Sequence, residues 1–325
     1  MKDAQSAGTG TGAQAGAAAV VLPEAAGVAA QGPGGAPPSG ARRSLGPVAL
    51  VVAGGLSVQF GAAVAVMLMP RAGALGVVTL RLVLAALVLF VVCRPRLRGH
   101  SRADWATVIT FGAAMGGMNM LFYQAVDRIP LGAAVTLEVL GPLALSVIAS
   151  RRLVNLLWAA LALAGVVLLG GGGFDRLDPV GAAFALAAGG MWAAYIIFSA
   201  RTGRRFPQAD GLALAMGFGA LLSLPFGLVE AGSRLFVPST LVLGLAVALM
   251  SSVLPYTLEL LALRRLPAAT FAVLMSLEPA IAAAAGFLVL SQALSPAEGL
   301  AIVLVIVASM GAVRTQAAGK RAPGA

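Results

Sequence analysis

Ile129-Pro-Leu-Gly-Ala-Ala-Val-Thr-Leu-Glu-Val-Leu-Gly-Pro142 is an apolar run that carries one carboxylate and closes on a helix breaker, and Leu266-Pro-Ala-Ala-Thr-Phe-Ala-Val-Leu-Met-Ser-Leu-Glu-Pro279 repeats its plan. Ala125, Arg128, Pro130 and Pro142 recur as Ala262, Arg265, Pro267 and Pro279, always 137 residues further on. So unusual a combination written twice marks a duplicated unit.

Working outward from these two stretches, apolar runs of roughly 17 to 25 residues recur along the chain, the length a helix needs to cross about 30 Å of hydrocarbon. They fall near 47–69, 74–93, 105–126, 130–149, 153–170, 179–199, 211–230, 238–260, 267–290 and 296–313. The runs are continuously apolar rather than alternating, which predicts helices and not a barrel, since each segment must satisfy its own backbone. The expected fold is an all-α membrane protein of ten transmembrane helices. Five helices per unit is an odd number, so the second copy enters the bilayer upside down. The expected domains are a first five-helix repeat over 45–173 and a second over 174–314. A disordered, Ala/Gly/Pro-rich tail over 1–44 and a C-terminal tail over 315–325 flank them.

Composition agrees with lipid as the main solvent. Of 325 residues, 59% are hydrophobic and only 10% charged, with a mean hydropathy of +0.95, outside the range of soluble domains. The net charge of +10 would suit nucleic acid, but the basic residues sit in short clusters between apolar runs, so no nucleic-acid partner is expected. With the N-terminus inside, 17 of the 22 basic residues fall on the cytoplasmic side, only Arg71, Arg128, Arg176 and Arg234 fall outside, and Arg81 lies within the second span. That asymmetry predicts both termini in the cytoplasm of a multi-pass protein of the bacterial inner membrane. No cleaved signal peptide is expected, because the short apolar stretch near Ala17 lacks a basic flank and is broken by Pro23 and Glu24. A lone Cys93 and a lone His100 among arginines exclude a disulfide and offer no metal site; no cofactor is expected.

Ionisable groups within hydrocarbon cost about 2.5–3.5 kcal/mol each on insertion scales, so those retained there usually have a task. Four qualify: Arg81, Glu138, Glu259 and Glu278. For Arg81 and Glu259 the plain alternative is an ion pair that locks two helices. Glu138 and Glu278 each neighbour a helix break, at Gly141 with Pro142 and at Pro279, where a missing N–H frees carbonyls one turn upstream. A carboxyl group placed there is a candidate proton relay. Polar companions follow at helical spacing: Asn119 with Tyr123 on the third span, and Ser252, Tyr256 and Glu259 on the eighth. Gln59 stands alone in the first span, equally compatible with a binding role and with a bond to a neighbouring helix. Gly112 with Gly116, and Gly189 with Gly190, read as close helix packing, and Gly170 to Gly173 as a flexible connection rather than a phosphate loop.

Thr79-Leu-Arg-Leu82, Gly116-Gly-Met-Asn-Met-Leu-Phe-Tyr123, the Ile129–Pro142 stretch, Ser150-Arg-Arg152, Leu254-Pro-Tyr-Thr-Leu-Glu259 and Met275-Ser-Leu-Glu-Pro279 together resemble the threonine/homoserine exporter branch of the drug/metabolite transporter superfamily, in its EamA group. The resemblance spans about residues 46–314. It implies a ten-helix carrier that exports threonine, homoserine and similar amino acids, driven by the proton gradient. Where relatives often carry Gly-Glu after the ninth helix, this chain has Ser291-Gln292, so an acidic role at that point is not carried over.

An amino-acid cargo needs an anion for its ammonium, which Glu138 or Glu278 can supply. Its carboxylate needs donors, which Arg81, Asn119, Tyr123 or freed backbone amides can supply. The expected partners are this small molecule, a proton as coupling ion and the lipid bilayer, with a homodimer left open. The same fold can carry drugs or other polar metabolites instead. A membrane enzyme lacks a metal cluster, an activated nucleophile or a cofactor loop, and a non-transporting scaffold needs neither an inverted repeat nor paired midplane acids.

Overall fold

A computed structural model describes residues 45–150, 154–169, 177–206, 210–255, 258, 262, 266 and 268–320, which are helical with short connections and contain no strand. The tail over 1–44, the Gly170–Gly173 connection, Tyr256 and Glu259 lie outside the described residues. The helices are α1 (Leu45–Cys93), α2 (Arg102–Val126), α3 (Leu131–Glu138), α4 (Leu140–Ser150), α5 (Val154–Leu169), α6 (Pro179–Gly203), α7 (Asp210–Ala231), α8 (Pro238–Ala248), α9 (Ala268–Met275), α10 (Glu278–Leu290) and α11 (Pro296–Lys320). A π-helical turn, Leu249–Val253, continues α8.

Among the described residues six stretches are long and apolar enough to cross a bilayer, and three shorter apolar helices, Leu131–Leu145, Val154–Leu168 and Pro238–Val253, accompany them. Large apolar side chains stand exposed along them, among them Val91, Val92, Leu163 and Val229. In water such a surface would aggregate; facing acyl chains it is the expected exterior. The last helix runs on to Lys320, past the predicted boundary near 313, because nothing from Arg314 to Lys320 breaks a helix.

The first element is where sequence and structure differ most usefully. A loop was expected over 70–73, yet helix continues through Pro70 and only Gly73 leaves it, with φ 69° and ψ 168°. At 1.5 Å per residue the 49 residues of α1 would reach about 74 Å if straight, more than twice the hydrocarbon thickness. They fold back instead. Ser57 Oγ donates to Met250 O at 2.6 Å while Arg81 Nη2 donates to Ser251 O at 3.0 Å. A straight helix would hold Ser57 and Arg81 about 36 Å apart, so their adjacent partners require a hairpin at Gly73.

That hairpin is held by a carboxylate. Glu230, at the end of α7, accepts from the N–H groups of Leu75 and Gly76 at 2.6 and 3.1 Å. Those two donors have no partner in their own helix, being in its first turn, and the helix dipole favours an anion there. A Cβ on Gly73 would both adopt an unfavourable positive φ and run into the Glu230 carboxylate. Further along, Thr79 Oγ1 donates to Ser223 O at 2.9 Å, so the second limb of α1 is docked on α7 above and below the level of Gly76.

Helix packing relies on small residues, as expected where lipid tails compete equally well for apolar side chains. A Cβ on Gly112 would stand 2.5 Å from Ala215 O, and one on Gly116 would stand 3.1 Å from Gly219 Cα, so the predicted Gly112/Gly116 pair is a contact of α2 with α7. α5 lies along α11, where Trp158 Nε1 donates to Thr315 Oγ1 at 3.0 Å.

The polar cap of the hairpin gives a test. Glu230→Ala is expected to lower stability by roughly 1 kcal/mol, the usual worth of a helix N-terminal cap, read as a lower Tm in detergent. Glu230→Gln keeps an acceptor and should retain most of it. Equal melting of all three proteins would show that the carboxylate does not hold the hairpin.

Candidate substrate site

Pro142 has no N–H to offer the carbonyl four residues back, which is that of Glu138. Accordingly α3 stops at Glu138 and α4 restarts at Leu140. The break is covered by the backbone of α6: a Cβ on Gly189 would stand 2.5 Å from Glu138 O, and one on Gly141 would overlap the Gly189 carbonyl. Pro279 acts alike on Met275. There α9 ends, Ser276 and Leu277 turn, and Glu278 opens α10 with Pro279 in its first turn. The eight-residue helices α3 and α9 begin at Leu131 and Ala268 and end at Glu138 and Met275. Both bounds are offset by the 137 residues that separate the sequence repeats.

These breaks bring two carboxylates into the bundle. Glu138 and Glu278 are 8% and 9% exposed. Glu138 lies within electrostatic reach of both Glu278 and Arg81. Among the described residues neither carboxylate accepts a hydrogen bond, and neither forms an ion pair. Buried charges are ordinarily paired, so two buried acids with no donor among the described residues are candidates to meet a cationic group.

Arg81 faces the π-helical turn. Its Nη1 donates to Tyr123 Oη at 3.2 Å, its Nη2 to Ser251 O at 3.0 Å, and its Nε makes a longer contact with Ser252 Oγ at 3.5 Å. The guanidinium also lies 5.7 Å from the centre of the Tyr123 ring. The helix-locking ion pair entertained for Arg81 is not formed with Glu138 or Glu278; Glu259, the other acid considered, is outside the described residues, as is Tyr256.

The remaining predicted residues divide. Tyr123 is fully buried and belongs to the Arg81 cluster. Asn119, one turn earlier, donates one N–H to Met115 O of its own helix at 2.9 Å, which leaves its second N–H and its Oδ1 for other partners. Gln59 is 3% exposed and its Oε1 has no partner. Gln292 accepts from Leu131 N at 3.1 Å and so caps α3, a task for which an amide serves as well as an acid. It also lines a small cavity with Pro130, Gly132, Ala283 and Glu298. His100 is at the surface, its Nε2 against Arg96 O at 2.7 Å and its ring against Phe206. No cluster of metal-binding type occurs among the described residues.

Comparison with known proteins adds the family. The chain is 41% identical over 271 residues to the threonine/homoserine exporter RhtA of Escherichia coli K12, an alignment covering 83% of this chain and 92% of that protein. It belongs to the threonine/homoserine exporter family of the EamA group. RhtA of Salmonella typhimurium LT2 matches with the same identity and coverage, and the EamA-like transporter family matches residues 179–314. This exporter-family chain is therefore a multi-pass membrane transporter. A protein known from a crystal structure shares its fold with a TM-score of 0.54, at 19% identity over 85% of this chain and 99% of the other.

Within this exporter-family fold, Ser57 and Ser251 fix the turn that faces Arg81, and Thr79 and Glu230 hold the limb of α1 that carries it, none of which has a role assigned from sequence. Their partners lie between 144 and 193 residues away for Thr79, Glu230 and Ser57. Only the adjacent Ser251 and Ser252 within an apolar run offered a local signal, and Ser252 alone was read.

The glycine contact behind Glu138 is the most exacting feature. Gly141→Ala and Gly189→Ala should each destabilise the protein by about 1–3 kcal/mol, as overpacking does, seen as a fall in Tm followed by tryptophan fluorescence. Gly190→Ala is the control, since a Cβ there meets nothing within 4 Å. Indistinguishable melting of all three would remove the close backbone approach from the account.

Proposed function

We propose that this chain exports small amino acids of the threonine and homoserine kind across the bacterial inner membrane by proton-coupled alternating access. The observation that carries this reading is the pair Glu138 and Glu278, buried at two matching helix breaks and, among the described residues, without a donor. An ammonium group and a proton are the two partners that such carboxylates accept, and they exclude one another. Competition of that kind couples cargo to proton: protons entering from the outer side displace the cargo, and cargo entering from the cytoplasm displaces the protons.

The same reading takes the chain as two inverted repeats, 45–173 and 174–314, with tails over 1–44 and 315–325 and both termini cytoplasmic. The two limbs of α1, the other long spans and the three shorter apolar helices then make ten crossings. Support comes from the shared offset of α3 and α9 and from the odd number of runs per repeat. Inverted repeats suit a carrier because each half can take the other's conformation. Gly141, Pro142 and Pro279 supply the breaks, and Gln59, Asn119, Tyr123, Arg81, Tyr256 and Glu259 are assigned to the walls of the chamber. The relatives named threonine/homoserine exporters support the choice of cargo.

Counterflow of labelled threonine and homoserine in proteoliposomes, with and without a pH gradient, tests this directly. Wild-type protein should exchange both, faster with protons moving against the cargo. In Glu138→Gln and Glu278→Gln, exchange should fall roughly tenfold or more in at least one, since a bond to a charged group is worth about 1.5–3 kcal/mol. Should both variants keep the wild-type response to pH, neither acid is the relay.

A further inference from the structure

An amino acid carries two charges into the bundle, and the paired glutamates answer only the ammonium. Resting on the transport reading above, we infer that Arg81, with Tyr123 and the π-helical turn at Ser251 and Ser252, is the docking point for the carboxylate of the cargo.

Arg81 has donors to spare. A guanidinium carries five N–H groups, and the contacts to Ser252 Oγ, Tyr123 Oη and Ser251 O occupy one on each of its three nitrogens. Among the described residues one N–H on each terminal nitrogen is left, and two such donors on neighbouring nitrogens are what arginine uses to hold a carboxylate in two parallel bonds. All three acceptors are neutral, and among the described residues no carboxylate lies within 4.0 Å of the guanidinium. Arg81 is only half-buried, so it is open to a ligand while standing in a span where an uncompensated charge is costly.

Its neighbours fit an anion as well. Tyr123 uses its oxygen to accept from Arg81, which leaves the phenolic proton for another acceptor. Ser251 is 3% exposed and its Oγ has no partner, so it too can donate. The π turn is what brings these groups together, since an extra residue in the turn swings the Ser251 carbonyl toward Arg81. Ser57 Oγ pins the turn through Met250 O at 2.6 Å, and the absence of a side chain at Gly61 makes room for Ser251, whose Oγ a Cβ there would strike. With Glu138 within electrostatic reach but not in contact, an amino acid can bridge Arg81 and the acids by its two ends.

The test uses the full-length protein in proteoliposomes with labelled threonine and two competitors. Threoninol keeps the ammonium and replaces the carboxylate by an alcohol; 3-hydroxybutyrate keeps the carboxylate and lacks the amine. Arg81→Gln should raise the KM for threonine at least about tenfold and abolish competition by 3-hydroxybutyrate, while competition by threoninol stays at its wild-type level. Arg81→Lys should restore little, because a point charge does not replace the planar fork. Tyr123→Phe should shift selectivity the same way by less. Equal losses for threonine and threoninol would make Arg81 a structural lock, and an unchanged preference for threonine would place the carboxylate elsewhere; either overturns the assignment. If Arg81→Gln is not recovered as a monodisperse protein, Tyr123→Phe and Ser251→Ala decide, and unchanged carboxylate selectivity in both refutes it. A wild type that exchanges no threonine counts against the cargo reading alone. In that case a thermal shift by 3-hydroxybutyrate that is smaller in Tyr123→Phe than in wild type still supports the anion site, and an equal shift in both or none in either overturns it.

Discussion

Hydrocarbon offers no hydrogen bonds, so each polar group that this chain carries into the membrane must be answered by the protein or by whatever the protein binds. Three kinds of answer are visible. Asn119, Thr136 and Thr202 turn back on carbonyls four residues earlier in their own helices. Thr79, Ser57 and Trp158 reach across to a neighbouring helix. Others have no partner among the described residues, among them Gln59 Oε1, Ser251 Oγ and Ser309 Oγ, and the two buried carboxylates at the helix breaks accept no hydrogen bond there. An unanswered donor or acceptor in low dielectric costs about 1–3 kcal/mol or more, and of these Glu138, Glu278 and Ser251 gather around Arg81. Economy of that kind makes sense where a polar cargo completes the bonds.

Much of this was legible in the sequence because it is written locally. The apolar runs, the prolines and the 137-residue offset are properties of short stretches, and the bounds of α3 and α9 carry that offset into the structure. Glycine spacing named the Gly112/Gly116 face and the Gly189 approach correctly. The hairpin of α1 turns at Gly73, inside the 70–73 gap between the first two apolar runs, and is tighter than that gap because helix continues through Pro70. Partnerships were the illegible part. No spacing rule joins Glu230 to Leu75 or Ser57 to Met250, and a π turn leaves no mark in an apolar run beyond two serines. Asn119 is a mixed case: helical spacing sets it beside Tyr123, and one N–H of its amide turns back on Met115 O of its own helix.

The polar links between residues before and after the Gly170 connection also have a pattern. Near the Gly73 hairpin, Glu230 holds Leu75 and Gly76, and Gln292 holds Leu131. At the opposite end of α2, Arg205 pairs with Asp104 at 3.0 Å and Asp210 accepts from Arg96 N at 3.4 Å. The Asp104–Arg205 pair is largely solvated, and exposed pairs contribute about 0–1 kcal/mol. Between these ends further hydrogen bonds cross, from Ser57 to Met250, Thr79 to Ser223 and Arg81 to Ser251, and backbone is laid against backbone at Gly141 with Gly189 and at Gly116 with Gly219.

Such a distribution bears on how a carrier of this build would switch. Two states that alternate must differ by only a few kcal/mol, or one of them is never populated. Links worth about a kcal/mol each at the ends can be exchanged one set for the other within that range. The glycine contacts cannot be loosened so cheaply, because close-packed surfaces repack in steps rather than stretch. The middle would then stay assembled while the ends part in turn. The acids and Arg81 lie on that stiff middle layer, one acid beside the Gly189 contact and the guanidinium on the pinned π turn. In the proposed cycle a site built there would keep its geometry, and only the side from which cargo or proton reaches it would alternate.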